Sequence, residues 1–279
     1  MRENISKCVF PAAGYGTRFL PATKAIPKEM LPIVDTPLIE YGVREAKEAG
    51  LNDIVIVTGR GKSAIENHFD RSFELESQLR GTSKEALLNP INSLIEDCNF
   101  GYTRQGEMKG LGHAVLQSRH LVGDVPFGVV LADDFCVNSS GKGVMGQLRD
   151  AYEETGKSVI ALMQVPREDV SKYGVITPSS SSSLEGRLID VSDMVEKPDS
   201  KNAPSNYAVI GRYILTPEIF DILKQTPAGK GGEIQLTDAL KVQAQEGNLL
   251  GLEFEGRRFD CGSINGYVDA TNFEYQRRF

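Results

Sequence analysis

The sequence predicts an α/β protein with a Rossmann-like mixed sheet, mainly parallel and flanked by helices, and with antiparallel additions in the C-terminal half. Three observations lead there. Short apolar runs alternate with amphipathic stretches through the first 155 residues, as the strand and helix units of a parallel sheet do. One run, Phe127 to Ala132, is continuously apolar, like a strand buried on both faces, and ends on Asp133 and Asp134. Past residue 155, strand-like runs follow one another with fewer helices between them.

The elements follow in order. Cys8 to Phe10 is a first buried strand emptying into Ala12-Ala13-Gly14-Tyr15-Gly16. Phe19 to Thr36 contains Pro21, Pro27 and Pro32, which exclude a continuous helix and leave a long shaped loop. Thr36 can cap a helix with Pro37 in its first turn. Leu38, Ile39, Gly42, Val43, Ala46 and Ala49 give that helix one apolar or small face, and Gly50 ends it. Asp53 to Thr58 reads as a strand, residues 62–95 as helical with breaks, Phe100 to Gln105 as a strand and residues 112–120 as a helix. A helix near 143–155 precedes strands near 158–165, 174–178, 187–195 and 206–215. The serine run Ser179 to Ser183 lies between two of these and reads as an exposed turn. No internal repeat is visible, and a chain of 279 residues without linker-like composition fits a single domain spanning 1–279.

Composition narrows the function. The 31 Lys and Arg against 38 Asp and Glu give a net charge of -7, which leaves no generally basic surface for nucleic acid. An anionic ligand must be held locally. Nothing approaches the roughly 20 apolar residues of a membrane span, and the apolar run after Arg2 and Lys7 stops at Pro11, too short for a secretory signal core. Cys8, Cys98, Cys136 and Cys261 are widely spaced, with no C-x-x-C pair. A reducing cytoplasm is the simplest setting.

Phe10-Pro-Ala-Ala-Gly-Tyr-Gly-Thr-Arg-Phe-Leu-Pro21, with Lys24 and Pro27-Lys28-Glu29, has the makings of a phosphate cradle. Gly14 and Gly16 let backbone N–H groups approach an anion, and Arg18, Lys24 and Lys28 put three cations into one loop. Arginine can fork onto two phosphate oxygens, whereas lysine is a mobile point charge. A glycine turn with solvated basic residues is the plainer alternative. A dinucleotide site is the sharper one, since Gly14-Tyr15-Gly16 begins its fingerprint and Asp35 stands near the place of a ribose acid. Phe19 occupies the third glycine position, however, and the prolines forbid the helix that should receive the pyrophosphate. No Walker loop occurs.

The pattern G-x-G-T-R-x-L-P-x-T-K-x-x-P-K-E resembles the sugar-phosphate nucleotidyltransferases, specifically their uridylyl-transferring members. The resemblance extends over nearly the whole chain through Gln105 with Gly110-Leu-Gly-His-Ala114, Leu131-Ala-Asp-Asp134, Lys172-Tyr-Gly-Val175, Val195-Glu-Lys-Pro198, Gly232-Glu-Ile-Gln-Leu-Thr-Asp238 and Phe259-Asp-Cys-Gly262. It implies UTP and glucose 1-phosphate as substrates, Mg2+ as cofactor, and a homodimer or homotetramer. It also implies a nucleotide-binding half over about 1–155 and a sugar-phosphate-binding and assembly half over 156–279.

Within that resemblance Ala12, Ala13 and Gly14 hold the nucleotide through backbone, and Gly16 and Glu29 join the substrate contacts. Gln105 has an amide able to donate and accept, which suits a uracil edge, and Gly110 and Gly112 let a flat base lie close to backbone. Taken alone, Gln105 reads as an ordinary strand residue, and His113 beside it as structural. Asp133 and Asp134 are consecutive on extended chain and point to opposite sides, so only one faces the nucleotide. The resemblance assigns that role to Asp133 and a second metal contact to Asp260. Glu196 and Lys197 also alternate, giving the glutamate to sugar hydroxyls and the lysine to the sugar phosphate, while Gly174 contacts sugar through backbone. Arg18, Lys28, Asp133 and Lys197 are the implied catalytic groups. A nicotinamide oxidoreductase and a catalytically silent UDP-sugar-binding regulator are the rival classes. The break at Phe19 counts against the first, and the retention of all four groups counts against the second.

Overall fold

The computed structural model describes residues 5–180 and 186–279, so Ser181 to Ser183 of the serine run lie outside the described residues. Strand β1 (Lys7–Pro11) pairs parallel with β2 (Asp53–Thr58), and β2 pairs parallel with β3 (Asn99–Arg104). On its other side β1 pairs parallel with β4 (Phe127–Val130). A short β5 (Asp134–Val137) then leaves this sheet. The sheet is completed by β6 (Ser158–Gln164), β7 (Gly174–Pro178), β8 (Leu188–Glu196), β9 (Tyr207–Leu215) and β10 (Leu249–Glu253). The spatial order is β3-β2-β1-β4-β9-β6-β10-β8-β7. The expected mixture is therefore present. The first four strands are parallel, and in the remainder every pairing is antiparallel except that of β10 with β6.

Strands buried on both faces explain the apolar runs. In β1, Cys8 and Phe10 point into one core and Val9 into the other; in β2, Ile54 and Ile56 alternate in the same way with Val55 and Val57. The first core is closed by α1 (Leu38–Glu48) and the second by α2 (Leu111–Gln117), while α3 (Val144–Thr155) returns to the first. On the second face lie α4 (Ile219–Gln225) and α5 (Leu236–Gln245). Gly42 shows how closely α1 sits on the sheet: a Cβ there would lie 2.9 Å from Val130 Cγ1 and 3.0 Å from Phe10 Cε1.

Residues 62–95 are helical with breaks, as expected, forming helices Ser63–His68, Phe73–Leu79 and Asn89–Asp97. Thr36 does not cap α1. Its hydroxyl donates to the Asp35 carboxylate (3.0 Å), and Thr36–Pro37 pairs instead with Pro32–Ile33. Finally, β11 (Arg257–Asp260) pairs antiparallel with β5 and leads into α6 (Ile264–Arg278), whose N-terminus is capped by Ser263 Oγ accepting from Gly266 N. The carboxyl ends of β1, β2 and β4 open on one edge of the sheet, where ligands of open α/β sheets bind.

Candidate active site

The loop after β1 starts with its backbone tied to the sheet, since Ala12 N donates to Val57 O (2.8 Å). That bond removes Ala12 N–H from the expected anion contacts. Gly14 is exposed, and a Cβ there would meet nothing within 4 Å. Gly16 takes a left-handed φ of 65°, and its carbonyl accepts from Thr23 Oγ1 at 2.8 Å, which holds the loop folded over the turn Thr17–Phe19. Arg18 is exposed and reaches across to Gly262 O (3.3 Å), and Lys24 is exposed as well.

The turn Lys28–Met30 divides its residues between two sides, as a helix of three residues per turn must. Lys28 faces the site, with Nζ 2.5 Å from Asp133 Oδ2. Glu29 faces the protein. It is 1% exposed, and Lys62 from the loop after β2 donates to its Oε2 at 2.7 Å. Glu29 was expected among the substrate contacts, and the structure corrects this: the side chain anchors the loop from beneath. Burial pushes its carboxyl above the ordinary value against the pull of Lys62, consistent with an Oε1 that has no hydrogen-bond partner.

Asp133 and Asp134 do point apart, although a turn and not continuous extended chain separates them. β4 ends at Val130, Asp134 N donates to Leu131 O (3.2 Å), and β5 begins at Asp134. Asp134 is buried: Oδ2 accepts from Gly211 N (2.7 Å) and Oδ1 from Arg258 Nε (2.7 Å). Asp133 opens toward the loop. Burial would raise its pKa, but Lys28, joined by a backbone hydrogen bond and Arg258, offsets that and the carboxyl lies below its ordinary value; burial likewise opposes a Lys28 pKa that Asp133 and Glu29 together raise.

The β11–β5 ladder sets Asp260 directly across from Asp134. A Cβ placed on Gly262 would lie 3.0 Å from Asp260 Oδ1, 3.2 Å from Asp133 Oδ2 and 3.3 Å from Arg18 Nη1. Two carboxylates and a guanidinium thus converge on one small space. Among the described residues no cluster of three or more His, Cys, Asp or Glu side chains could hold a metal. Two carboxylate oxygens around an open position still fit a hard divalent cation that takes its other ligands from phosphate and water.

At the end of β3, Gln105 is 5% exposed and its Nε2 donates to Gly110 O (3.0 Å) and to His113 Nδ1 (3.0 Å). With the nitrogen committed, Oε1 is the end that can accept. Burial, with Lys109 second, holds His113 below its ordinary pKa, which suits a neutral acceptor ring. Gly110 and Gly112 were expected to make room for a base, but their missing Cβ atoms face protein: each would lie 2.8 Å from Ile234 O. They let the segment before α5 dock, with Gly112 N donating to Ile234 O (2.9 Å).

The end of β8 carries the remaining predicted groups. A Cβ on Gly174 would meet Thr237 Oγ1 at 3.2 Å and Glu196 Oε2 at 3.3 Å, and Thr237 Oγ1 donates to Glu196 Oε2 (2.7 Å). Lys197 does not alternate with Glu196. It adopts a left-handed φ of 45°, its N donates to Tyr173 O (3.0 Å), and Nζ lies 3.0 Å from Glu196 Oε1. The two side chains converge because of that backbone turn.

Sequence reasoning missed Arg258, whose Nη1 donates to Tyr173 Oη (2.9 Å) and whose Nη2 lies 3.7 Å from Asp260 Oδ1, joining the acidic pair to the Gly174 region. It also missed Lys62 and Thr237. Thr237 lay inside a quoted block, but nothing in the sequence showed that it meets Glu196.

A family model described as nucleotidyl transferase matches residues 7–277. The chain belongs to the nucleotidyl transferase family. Among relatives of this nucleotidyl transferase, a UTP–glucose-1-phosphate uridylyltransferase of Pseudomonas aeruginosa is 58% identical over 275 residues, covering 99% of this chain and 98% of the relative. The crystal structure of an apo UDP-glucose pyrophosphorylase superposes with a TM-score of 0.95 at 53% identity, covering 99% of this chain and all of that one. A UDP-glucose pyrophosphorylase complexed with UDP-glucose superposes with a TM-score of 0.90 at 51% identity, covering 98% of this chain and all of that one.

Proposed function

We propose that this nucleotidyl transferase joins the uridylyl group of UTP to glucose 1-phosphate, giving UDP-glucose and pyrophosphate. The observation that carries the reading is the near full-length similarity to a structure complexed with UDP-glucose, in a chain that brings Arg18, Asp133 and Asp260 to one point.

The chemistry needs little from a base. A sugar phosphate is already an anion at neutral pH, and its oxygen can attack the α-phosphorus directly, so the protein's task is alignment and charge neutralisation. Arg18 suits the β and γ phosphates, Lys28 the reacting phosphate, and Lys197 the incoming sugar phosphate. Glu196, held by Thr237, accepts from sugar hydroxyls. Gln105 Oε1 accepts from the uracil edge, and Ala13 and Gly14 line the nucleotide. Asp133 and Asp260 are the residues that would hold Mg2+, which when bound neutralises phosphate charge during transfer. Residues 1–155 then serve mainly the nucleotide and residues 156–279 the sugar phosphate and assembly, as a homodimer or homotetramer.

A cytoplasmic setting fits the free thiols of Cys8, Cys98, Cys136 and Cys261. No helix among the described residues is long and apolar enough to cross a membrane. The test is pyrophosphate release from UTP, Mg2+ and glucose 1-phosphate, run beside a panel of other nucleotides and sugar phosphates. A higher kcat/KM with dTTP, ATP or GTP than with UTP would overturn the base assignment.

A further inference from the structure

The oxygen of Asp133 that faces the convergence point is already occupied. Oδ2 is the atom 3.2 Å from a Cβ placed on Gly262, and Oδ2 is also the atom that Lys28 Nζ approaches to 2.5 Å. Other positive charge surrounds the same space, with Arg18 Nη1 3.3 Å from that Cβ position and Arg258 Nη2 3.7 Å from Asp260 Oδ1. A divalent cation entering this space alone meets three positive groups and a carboxylate oxygen that is already paired.

The Lys28 side chain is free to leave while its backbone is not. Its Nζ rides on a flexible four-carbon stem, and the side chain is 24% exposed, so it can exchange one anion for another by rotamer changes alone. The turn beneath it is pinned by the buried Glu29–Lys62 pair and by Met30 N donating to Pro27 O (2.9 Å).

We propose that Lys28 is a stand-in cation: without nucleotide it holds the Asp133 oxygen that a divalent metal requires, and it releases that oxygen only when a triphosphate offers it another anion. The proposal rests on the uridylyl-transfer reading for the identity of that anion. Metal and nucleotide therefore enter as partners, each bound weakly without the other. One residue serves two anions in turn, first the aspartate and then the phosphate.

The experiment is Mn2+ binding to the full chain without nucleotide, followed by electron paramagnetic resonance, in wild type, Lys28→Met and Lys28→Gln, with folding checked by circular dichroism. Removing the charge should tighten Mn2+ binding by about tenfold or more. The same variants should bind UTP more weakly in calorimetry without metal. Adding Asp133→Asn to Lys28→Met should abolish the gained affinity. Mn2+ affinity that is unchanged or weakened in both folded Lys28 variants overturns the proposal, as does a gain that survives Asp133→Asn. Pyrophosphate release by the wild type is read separately, so a wrong substrate assignment would leave the Mn2+ comparison standing.

Discussion

Asp133 and Asp134 are adjacent in sequence, yet replacing each with Asn should damage different properties. Asp134 is 7% exposed and accepts on both oxygens, from Gly211 N and from Arg258. An asparagine presents an NH2 on one side, which must face a donor whichever way the amide turns, and it leaves the 8% exposed Arg258 side chain without its main counter-charge. Removing one partner of a buried pair costs about 3–5 kcal/mol. At roughly 2–4 °C per kcal/mol, the melting temperature should fall by about 6–20 °C. The Asp133–Lys28 pair has side chains 29% and 24% exposed, so its loss should cost no more than about 1 kcal/mol. Asp133→Asn should instead lose most turnover while melting within a few degrees of wild type. Thermal melts and urea titrations, paired with pyrophosphate-release kinetics on both variants, decide the matter. An Asp134→Asn protein as stable as wild type, or an Asp133→Asn protein that unfolds more readily than it loses activity, would refute the division of labour.

Arg18→Ala and Lys28→Ala should each slow transfer about tenfold or more with little change in melting temperature, since a charge-assisted contact contributes roughly 1.5–3 kcal/mol; unchanged kinetics would return the loop to a solvated turn. Because Lys197 Nζ lies 3.0 Å from Glu196 Oε1, Glu196→Gln and Lys197→Ala should be non-additive by about 0.5 kcal/mol or more in kcat/KM for glucose 1-phosphate, and strict additivity would show that they act apart. Gly112→Ala puts a methyl 2.8 Å from Ile234 O and should destabilise by about 1–3 kcal/mol, measured by urea denaturation. His113 has its pKa lowered from 6.5 by burial, so its contribution is present above 6.5 and lost as pH falls from there through the depressed value. UTP affinity should weaken over the same window, as a protonated ring can no longer accept from Gln105, and His113→Ala should flatten that dependence in calorimetry.

The parts legible in the sequence were those fixed by local pattern. Buried parallel strands announced themselves as apolar runs, the face of α1 showed at helical spacing, and Gly14, Gly16, Arg18, Lys24 and Lys28 could be read as one phosphate-handling loop. What stayed hidden depended on tertiary neighbours or on single backbone angles. Glu29 is adjacent to Lys28, and only the tight turn at 28–30 shows that it faces inward. Lys197 alternates with Glu196 on paper but not at a φ of 45°. Gly110 and Gly112 serve a segment more than 120 residues further along the chain. The C-terminal elements carried little pattern: in α6 the buried side chains include Glu274 at 0% exposure, held by Arg277 and Arg278, which no hydropathy pattern would place inside.

The position of β10 has a consequence for how the molecule comes into being. Residues 249–253 lie between β6 and β8, both made at least 50 residues earlier, and β9 joins β4 to β6 only after residue 207 has been synthesised. A nascent chain emerging from the ribosome therefore carries strands whose hydrogen-bonding edges stay open inside the future sheet until residues 249–253 arrive. Such long-range pairing folds slowly and leaves apolar edges available to other chains. Premature termination before residue 249 would leave a gap between the sixth and eighth strands of the sheet, and the shortened product should be recovered from cells as aggregate.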